Sequence, residues 1–116
     1  MKLSPHFTSE ELECKCGFLN VTPDFIFFLE RVRKKFEAPM VINSGCRCPA
    51  RNIKVGGVEN SSHLLGLAVD VAVVNGNDKY RLVKAALEAE AWGVGVYSSW
   101  VHIDLKERSK PTLWLG

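Results

Sequence analysis

One aspartate lies in the middle of an apolar segment, and this placement constrains the fold more than any other feature of the sequence. Residues 67–74 read Leu-Ala-Val-Asp-Val-Ala-Val-Val, a β-branched pattern that predicts a buried strand. A carboxylate at such a position is costly unless its charge is compensated. Metal coordination would compensate it, so we expect Asp70 to be a metal ligand.

Two histidines complete a ligand set with Asp70. His63 follows a polar loop and precedes the apolar strand. His102 lies in the segment 101–104, where polar and apolar residues alternate, so His102 and Asp104 should share one face of a strand. Two histidines and one aspartate are the three protein ligands of a catalytic zinc site, whose fourth position is left to water.

Three helices are predicted from capping residues and periodicity. A capping box begins a short helix after Thr8. Thr22 and Pro23 begin an amphipathic helix that ends near Glu37, and Asn77 is expected to cap a third helix. The residues of the third helix that are expected to face inward are Tyr80, Val83, Leu87 and Ala91.

Strands are predicted at 40–43, 67–74, 94–97 and 100–105. Residues 44–62 are rich in Gly, Pro, Asn, Ser and Arg and predict a long loop, a kind of segment that often carries function. At 116 residues the chain is expected to form one domain, 1–116. Its predicted class is α+β, with helices packed on a small antiparallel sheet.

Bulk properties exclude several classes of function. A net charge of +2 with scattered basic residues argues against nucleic-acid binding. No segment approaches the roughly 18 apolar residues that span a bilayer, so no membrane partner is expected. Residues 1–13 lack the apolar core of a signal peptide, and synthesis in the cytoplasm is therefore expected.

Several motifs together resemble those of a known family. They are SSHLLGLAVD at 61–70, VHID at 101–104, SGCRCPARNIKVGGVENSSH at 44–63 and SPHFTSEELECKCG at 4–17. The chain resembles the zinc D-alanyl-D-alanine carboxypeptidases and L-alanyl-D-glutamate endopeptidases over most of its length. These are peptidoglycan peptidases of bacteria and of phage endolysins, and they share their fold with the hedgehog signalling domain.

The resemblance implies a role for each matching residue. His63, Asp70 and His102 would be the zinc ligands, and Arg47 matches a basic residue that pairs with a substrate carboxylate or carbonyl. Ser61 matches a motif serine near the metal. Zinc in such a site polarises the scissile carbonyl and lowers the pKa of its bound water toward ~7.

The chain departs from the family pattern at the general base. Relatives commonly carry Glu or Asp three residues before the last histidine ligand, and Ser99 stands there in this sequence. Asp104 is the nearest replacement, because it shares a strand face with His102. It could instead orient His102 or pair with an arginine. Trp100, beside the ligand strand, either lines a substrate groove or packs in the core.

The four cysteines allow three interpretations. They form two C-x-C pairs, Cys14 with Cys16 and Cys46 with Cys48, on two predicted loops. They could bind a structural zinc, form disulfides, or remain reduced thiols. Either of the first two arrangements would bring the pairs together and hold Arg47 beside the zinc.

The first functional hypothesis is a monomeric zinc peptidase that acts on the stem peptide of peptidoglycan, as a carboxypeptidase or an endopeptidase. The missing signal peptide suits a phage or prophage lysis protein that reaches the cell wall after release. The second hypothesis is a zinc-containing binding module of the same fold with little or no turnover, which Ser99 favours and Asp104 opposes. The third is a zinc hydrolase for a small free peptide such as the D-Ala-D-Ala dipeptide.

Overall fold

Four helices and five strands are distributed along the chain in a computed structural model that describes all 116 residues. The helices are α1 (Ser9–Leu12), α2 (Pro23–Phe36), α3 (Pro49–Lys54) and α4 (Gly76–Glu88). The strands are β1 (Ile42–Ser44), β2 (Ala68–Ala72), β3 (Gly93–Val96), β4 (Trp100–Asp104) and β5 (Thr112–Leu115). The α+β class predicted from the sequence is confirmed. No helix has both the length and the apolar character needed to cross a membrane.

All five strands form one sheet in the order β1-β2-β4-β3-β5. Pairing is antiparallel between β1 and β2, β2 and β4, and β3 and β4. The expectation of a purely antiparallel sheet is wrong at one edge, because β5 pairs with β3 in parallel. β5 therefore runs antiparallel to β4, and residues 105–111 connect these two strands at one end of the sheet, past the start of β3.

The two faces of the sheet have different chemistry because side chains alternate along each strand. Val69, Val71, Val101 and Ile103 are fully buried and belong to the hydrophobic core together with residues of α2 and α4. The alternate positions of β2 and β4 carry the polar residues of the opposite face. The sheet therefore separates the core from the polar residues that were singled out in the sequence.

The first two predicted helices are confirmed with their caps. Thr8 forms the capping box of α1 with Glu11, and the side chain of Thr22 accepts a hydrogen bond from the backbone of Phe25 at the start of α2. The α2 helix ends at Phe36, where Glu37 adopts a left-handed conformation. The caps satisfy backbone donors that a helix start leaves unpaired, which explains why they locate the helix starts well.

The predicted cap of the third helix and two of its four predicted inward residues are wrong. Asn75 caps α4, not Asn77, and its side chain accepts from the backbone of Asp78. The predicted inward residues Tyr80 and Leu87 are 66% and 52% exposed. Leu82, Ala85 and Ala86 form the buried face of α4. Of the other two predicted residues, Val83 packs against the core, and Ala91 is buried beyond the end of the helix.

Two elements lie in segments for which no regular structure was predicted. The loop 44–62 contains α3, whose N-cap is Cys48 and whose first residue is Pro49. The C-terminal segment contains β5. A cysteine is an uncommon N-cap, and a four-residue edge strand carries little periodicity, so neither element leaves a clear signal in the sequence.

Candidate metal centre

Antiparallel pairing of β2 with β4 places two of the predicted ligands side by side. Asp70 lies directly opposite His102 in the register. Oδ1 of Asp70 is 3.1 Å from Nδ1 of His102 and 3.3 Å from Nε2 of His63. One donor atom from each of the three residues lies within 4.8 Å of the others. The structure therefore brings the predicted ligand set together.

His63 is held from a loop rather than from the sheet. Its backbone N–H donates to Oγ of Ser61 at 3.2 Å, and its carbonyl accepts from the backbone N–H of Arg47 at 3.1 Å. Nδ1 of the ring lies 2.8 Å from the carbonyl oxygen of Gly45. A carbonyl can only accept, so Nδ1 carries a proton and Nε2 presents its lone pair toward Asp70.

His102 is oriented by a carboxylate on its own strand. Nε2 of His102 lies 2.6 Å from Oδ2 of Asp104, as expected for alternate residues on one strand face. In the neutral ring, Nε2 donates this bond and Nδ1 keeps its lone pair on the side of Asp70. Both histidines thus have one ring nitrogen engaged by an oxygen acceptor and the other free for a metal, the arrangement typical of metal-bound histidines.

Asp104 is completely buried, and its oxygens are occupied by protein groups. Arg108 forms a bidentate pair with it, with Nη1 at 2.7 Å from Oδ1 and Nη2 at 2.9 Å from Oδ2. The backbone N–H of Lys106 and the hydroxyl of Ser62 also donate to it, at 3.1 and 3.4 Å. Burial alone would raise the pKa of Asp104, but the hydrogen bonds from Arg108 and His102 hold that pKa well below its ordinary value.

The donor chemistry fits a zinc ion. Two imidazole nitrogens and one carboxylate oxygen form the three-ligand set of a catalytic site. Burial would raise the pKa of Asp70, but its close contacts with His102 and His63 hold that pKa well below its ordinary value. Burial would lower the pKa of His102, but hydrogen bonds to Asp104 and Asp70 raise it overall. The carboxylate is therefore ionised, as a metal ligand must be.

The three donors lie in a groove of about 500 Å³ with an aromatic wall. Tyr97 and Trp100 stack with ring centroids 4.5 Å apart, and Nε1 of Trp114 donates to the Tyr97 hydroxyl at 2.9 Å. Two placements were predicted for Trp100, in the lining of a substrate groove or in the core. In the structure it lines the groove. A larger groove of about 1130 Å³ along α2 shares no lining residue with this one.

Trp114 reaches the groove because Gly95 lies beneath it. Gly95 pairs with His102 on one side and with Trp114 on the other, so the three residues form one row across the sheet. A Cβ atom at Gly95 would lie 2.5 Å from Nε1 of Trp114, which is too close for any side chain. The indole consequently lies 5.3 Å from the His102 ring, between centroids.

Arg47 lies on the loop side of the same groove. Its Nη1 donates to Oδ1 of Asn52 at 3.0 Å, and Nδ2 of Asn52 donates to the carbonyl of Val58 at 2.8 Å. Burial lowers the pKa of Arg47, and the nearby charge of Asp70 partly opposes this shift. The guanidinium is thus held in place by Asn52 and retains further donors for a ligand.

Several residues of the site were not predicted from the sequence. Ser61 is among the residues that line the groove, and Ser99 is exposed in the turn between β3 and β4. Arg108, Trp114, Ser62 and Asn52 were missed. A basic residue four positions after the buried Asp104 was the one available signal for Arg108. The others became visible only once loops and β5 were placed beside β4.

Comparison with known proteins gives two matches of interest. A model of the Peptidase M15 family matches residues 5–104. The crystal structure of the L-Ala D-Glu endopeptidase ChiX of Serratia marcescens is similar with a TM-score of 0.53 and 22% sequence identity. The similar region covers 80% of this chain and 86% of that chain. No curated protein sequence matches significantly.

Proposed function

The chain belongs to the Peptidase M15 family, and we propose that it is a zinc-dependent peptidase that hydrolyses a peptide bond in the stem peptide of peptidoglycan. One observation carries this proposal: His63, Asp70 and His102 converge in a groove, and a second acceptor fixes each imidazole. The similar fold of an L-Ala D-Glu endopeptidase supports the choice of substrate.

The proposed division of labour follows from the contacts. His63, Asp70 and His102 would hold the zinc ion, which when bound supplies Lewis-acid polarisation of the scissile carbonyl and an activated water. Gly45 and Asp104 orient the two imidazoles, so the donor atoms are arranged before the metal arrives. The aromatic wall of Tyr97, Trp100 and Trp114 limits how a peptide can enter the groove and excludes water from one side.

We propose that the basic residues of the groove select an anionic peptide. Arg47, Lys106 and Arg108 line it, whereas Asp70 is the one carboxylate among its lining residues. Stem peptides carry free carboxylates beside their amide bonds, and a guanidinium can bind such a group with two parallel hydrogen bonds. Arg108 is already paired with Asp104, so Arg47 is the proposed partner of the substrate.

For Asp104 we propose a positioning role in place of general-base catalysis. Its oxygens already accept hydrogen bonds from Arg108, Lys106, Ser62 and His102. It also contacts Nε2 of His102, whereas Nδ1 is the nitrogen near Asp70. A carboxylate so placed steers the ligand and increases its basicity, and it has no free lone pair directed at the groove.

The competing function is a zinc-containing binding module without turnover. It is favoured by the lack of a carboxylate other than Asp70 in the groove lining, because a positioned base contributes about 10²–10⁴-fold to such reactions. The two functions share the metal site and the groove, so they differ only in product formation.

Digestion of purified peptidoglycan by the zinc-loaded protein is the test of the enzyme function. We expect new amino groups to appear with time and mass spectrometry of the soluble products to identify a single bond type. Cleavage between L-Ala and D-Glu would leave L-Ala with a new free carboxyl group and D-Glu with a new free amino group. A carboxypeptidase would release free D-Ala instead. Tight binding to walls without any released amine, also on D-Ala-terminated peptides and the D-Ala-D-Ala dipeptide, would show that the protein is a binder.

Arg47→Met is expected to lower kcat/KM about 10- to 100-fold, mainly through KM, because a charged hydrogen-bond partner of the substrate is lost. The measurement is kinetics on a soluble stem peptide and on the same peptide with its carboxylates amidated. Arg47→Met should reduce the preference for the free acid.

Lys54→Met is the matched control for Arg47→Met, since Lys54 is exposed at the end of α3 and does not line the groove. It should leave kcat/KM at the parent value for both the free-acid and the amidated peptide. An equal loss on acid and amidated peptides in Arg47→Met would contradict recognition of a carboxylate.

A further inference from the structure

Three cysteine thiols converge at a second place, outside the groove. The Sγ atoms of Cys14, Cys16 and Cys48 lie within 4.8 Å of one another, and those of Cys14 and Cys48 are 3.7 Å apart. Two of them come from the turn that follows α1, and the third is the N-cap of α3. Residues distant in sequence are thus brought together by the fold.

Backbone N–H groups point at these sulfur atoms. The backbone N–H of Cys16 is the largest influence on Cys14 and, with that of Cys48, lowers the pKa of the Cys14 thiol to about 7 despite its burial. Sγ of Cys48 accepts from the backbone N–H of Arg51 at 3.4 Å. Hydrogen bonds of this kind stabilise thiolates, which are the form that binds metals.

The pKa of the Cys16 thiol is raised, because other sulfur atoms lie beside it. The backbone N–H of Phe18 lowers its pKa, but the neighbouring thiols of Cys48 and Cys14 outweigh this and raise it overall. Three sulfurs this close cannot all ionise unless a cation lies between them. A disulfide would join only two of the sulfurs and leave the third beside them, whereas a metal ion would engage all three.

We propose that Cys14, Cys16 and Cys48 bind a structural zinc ion, separate from the ion in the groove, with solvent at its fourth position. Thiolates are the preferred ligands of structural zinc. Cys16 is exposed, so solvent reaches the site. Cys46 is outside the ligand set, because it is buried elsewhere and its Sγ does not lie within 4.8 Å of all three other sulfurs.

This ion would connect the segment after α1 to the start of α3. The same two segments are already joined where the backbone N–H of Cys46 donates to the carbonyl of Leu12 at 2.7 Å. Arg47 lies between Cys46 and Cys48, so anchoring Cys48 restrains the residue that we assign to substrate binding. The structural site therefore acts on the groove by holding one of its walls.

The experiment loads reduced protein with Co²⁺ alone, because cobalt bound to thiolates has an intense near-ultraviolet charge-transfer absorption that histidine and carboxylate ligands do not produce. We expect this absorption in the parent and its loss in Cys16→Ser, a substitution at an exposed position that should not disturb packing. Cys46→Ser is the matched control and should retain the absorption. Zinc analysis should give two ions per chain for the parent and Cys46→Ser, and one for Cys16→Ser.

His63→Ala separates this site from the groove. It should lose one zinc ion and keep the thiolate absorption of cobalt, so failure of one site cannot be mistaken for failure of the other. The proposal is overturned if the parent shows no thiolate absorption, or if Cys46→Ser abolishes it as Cys16→Ser does. The proposal is also overturned if peptide mapping of the protein as purified, without reductant or added metal, finds all of Cys14 joined to Cys48 by a disulfide.

Discussion

His63→Ala is expected to abolish peptide hydrolysis while the protein stays folded. The loss should exceed the about 10²–10³-fold that removal of a single electrostatic group causes, because the metal itself is weakened or lost. His63 lies on a loop, and the residues of the hydrophobic core remain unchanged. Amine release from peptidoglycan and zinc content after dialysis measure the two consequences together.

His6→Ala is the matched control for this variant. His6 is exposed and its Nδ1 pairs with Glu30 at 2.7 Å, away from the groove. It should keep both zinc and activity. Full activity in a His63→Ala preparation that holds one zinc ion fewer than the parent and has a native circular dichroism spectrum would exclude the proposed metal centre.

The candidate ligand set of His63, Asp70 and His102 could be predicted mainly because Asp70 and His102 leave local signals. Asp70 is a charge in an apolar strand, and His102 lies in an alternating segment whose periodicity places Asp104 on the same face. The register that sets Asp70 opposite His102 was not predictable from either strand alone. It depends on how β2 and β4 pair, which is a property of the tertiary structure.

The aromatic wall of the groove shows where local signals end. Trp114 enters only because β5 adds to the sheet in parallel beside β3 and Gly95 leaves space for the indole. Neither residue has a pattern that links it to the other, since they become neighbours only when β5 pairs with β3. Arg108 is a similar case, because it belongs to the site only through its ion pair with the buried Asp104.

The cysteines illustrate an intermediate case. Their spacing suggested that the two C-x-C pairs would lie next to each other, and three of the four thiols do converge. The sequence could not separate Cys46 from the other three. That distinction arises from the tertiary structure, which brings only Cys14, Cys16 and Cys48 within 4.8 Å of one another.

Asp104→Asn is expected to weaken zinc affinity about 10- to 100-fold, the usual cost of losing the acidic partner of a metal-bound histidine. It should also lower the free energy of unfolding by roughly 1.5–3 kcal/mol, because Arg108 loses a charged hydrogen-bond partner that is completely buried. Zinc titration monitored by activity, together with urea denaturation of the metal-free protein, measures both effects. If Asp104 acts through His102, kcat at saturating zinc should return close to the parent value.

Asp78→Asn is the matched control, since Asp78 also pairs with an arginine, Arg81, at 3.4 Å, but on the surface of α4. Its unfolding free energy should change by less than about 1 kcal/mol, and its zinc affinity should not change.

A different set of results for Asp104→Asn would contradict the positioning role. Parent-like zinc affinity, a kcat that stays low at saturating zinc and loss of the acidic limb of the pH–rate profile would identify Asp104 as the proton acceptor. Its hydrogen bonds to Arg108 and His102 would then have to open during turnover.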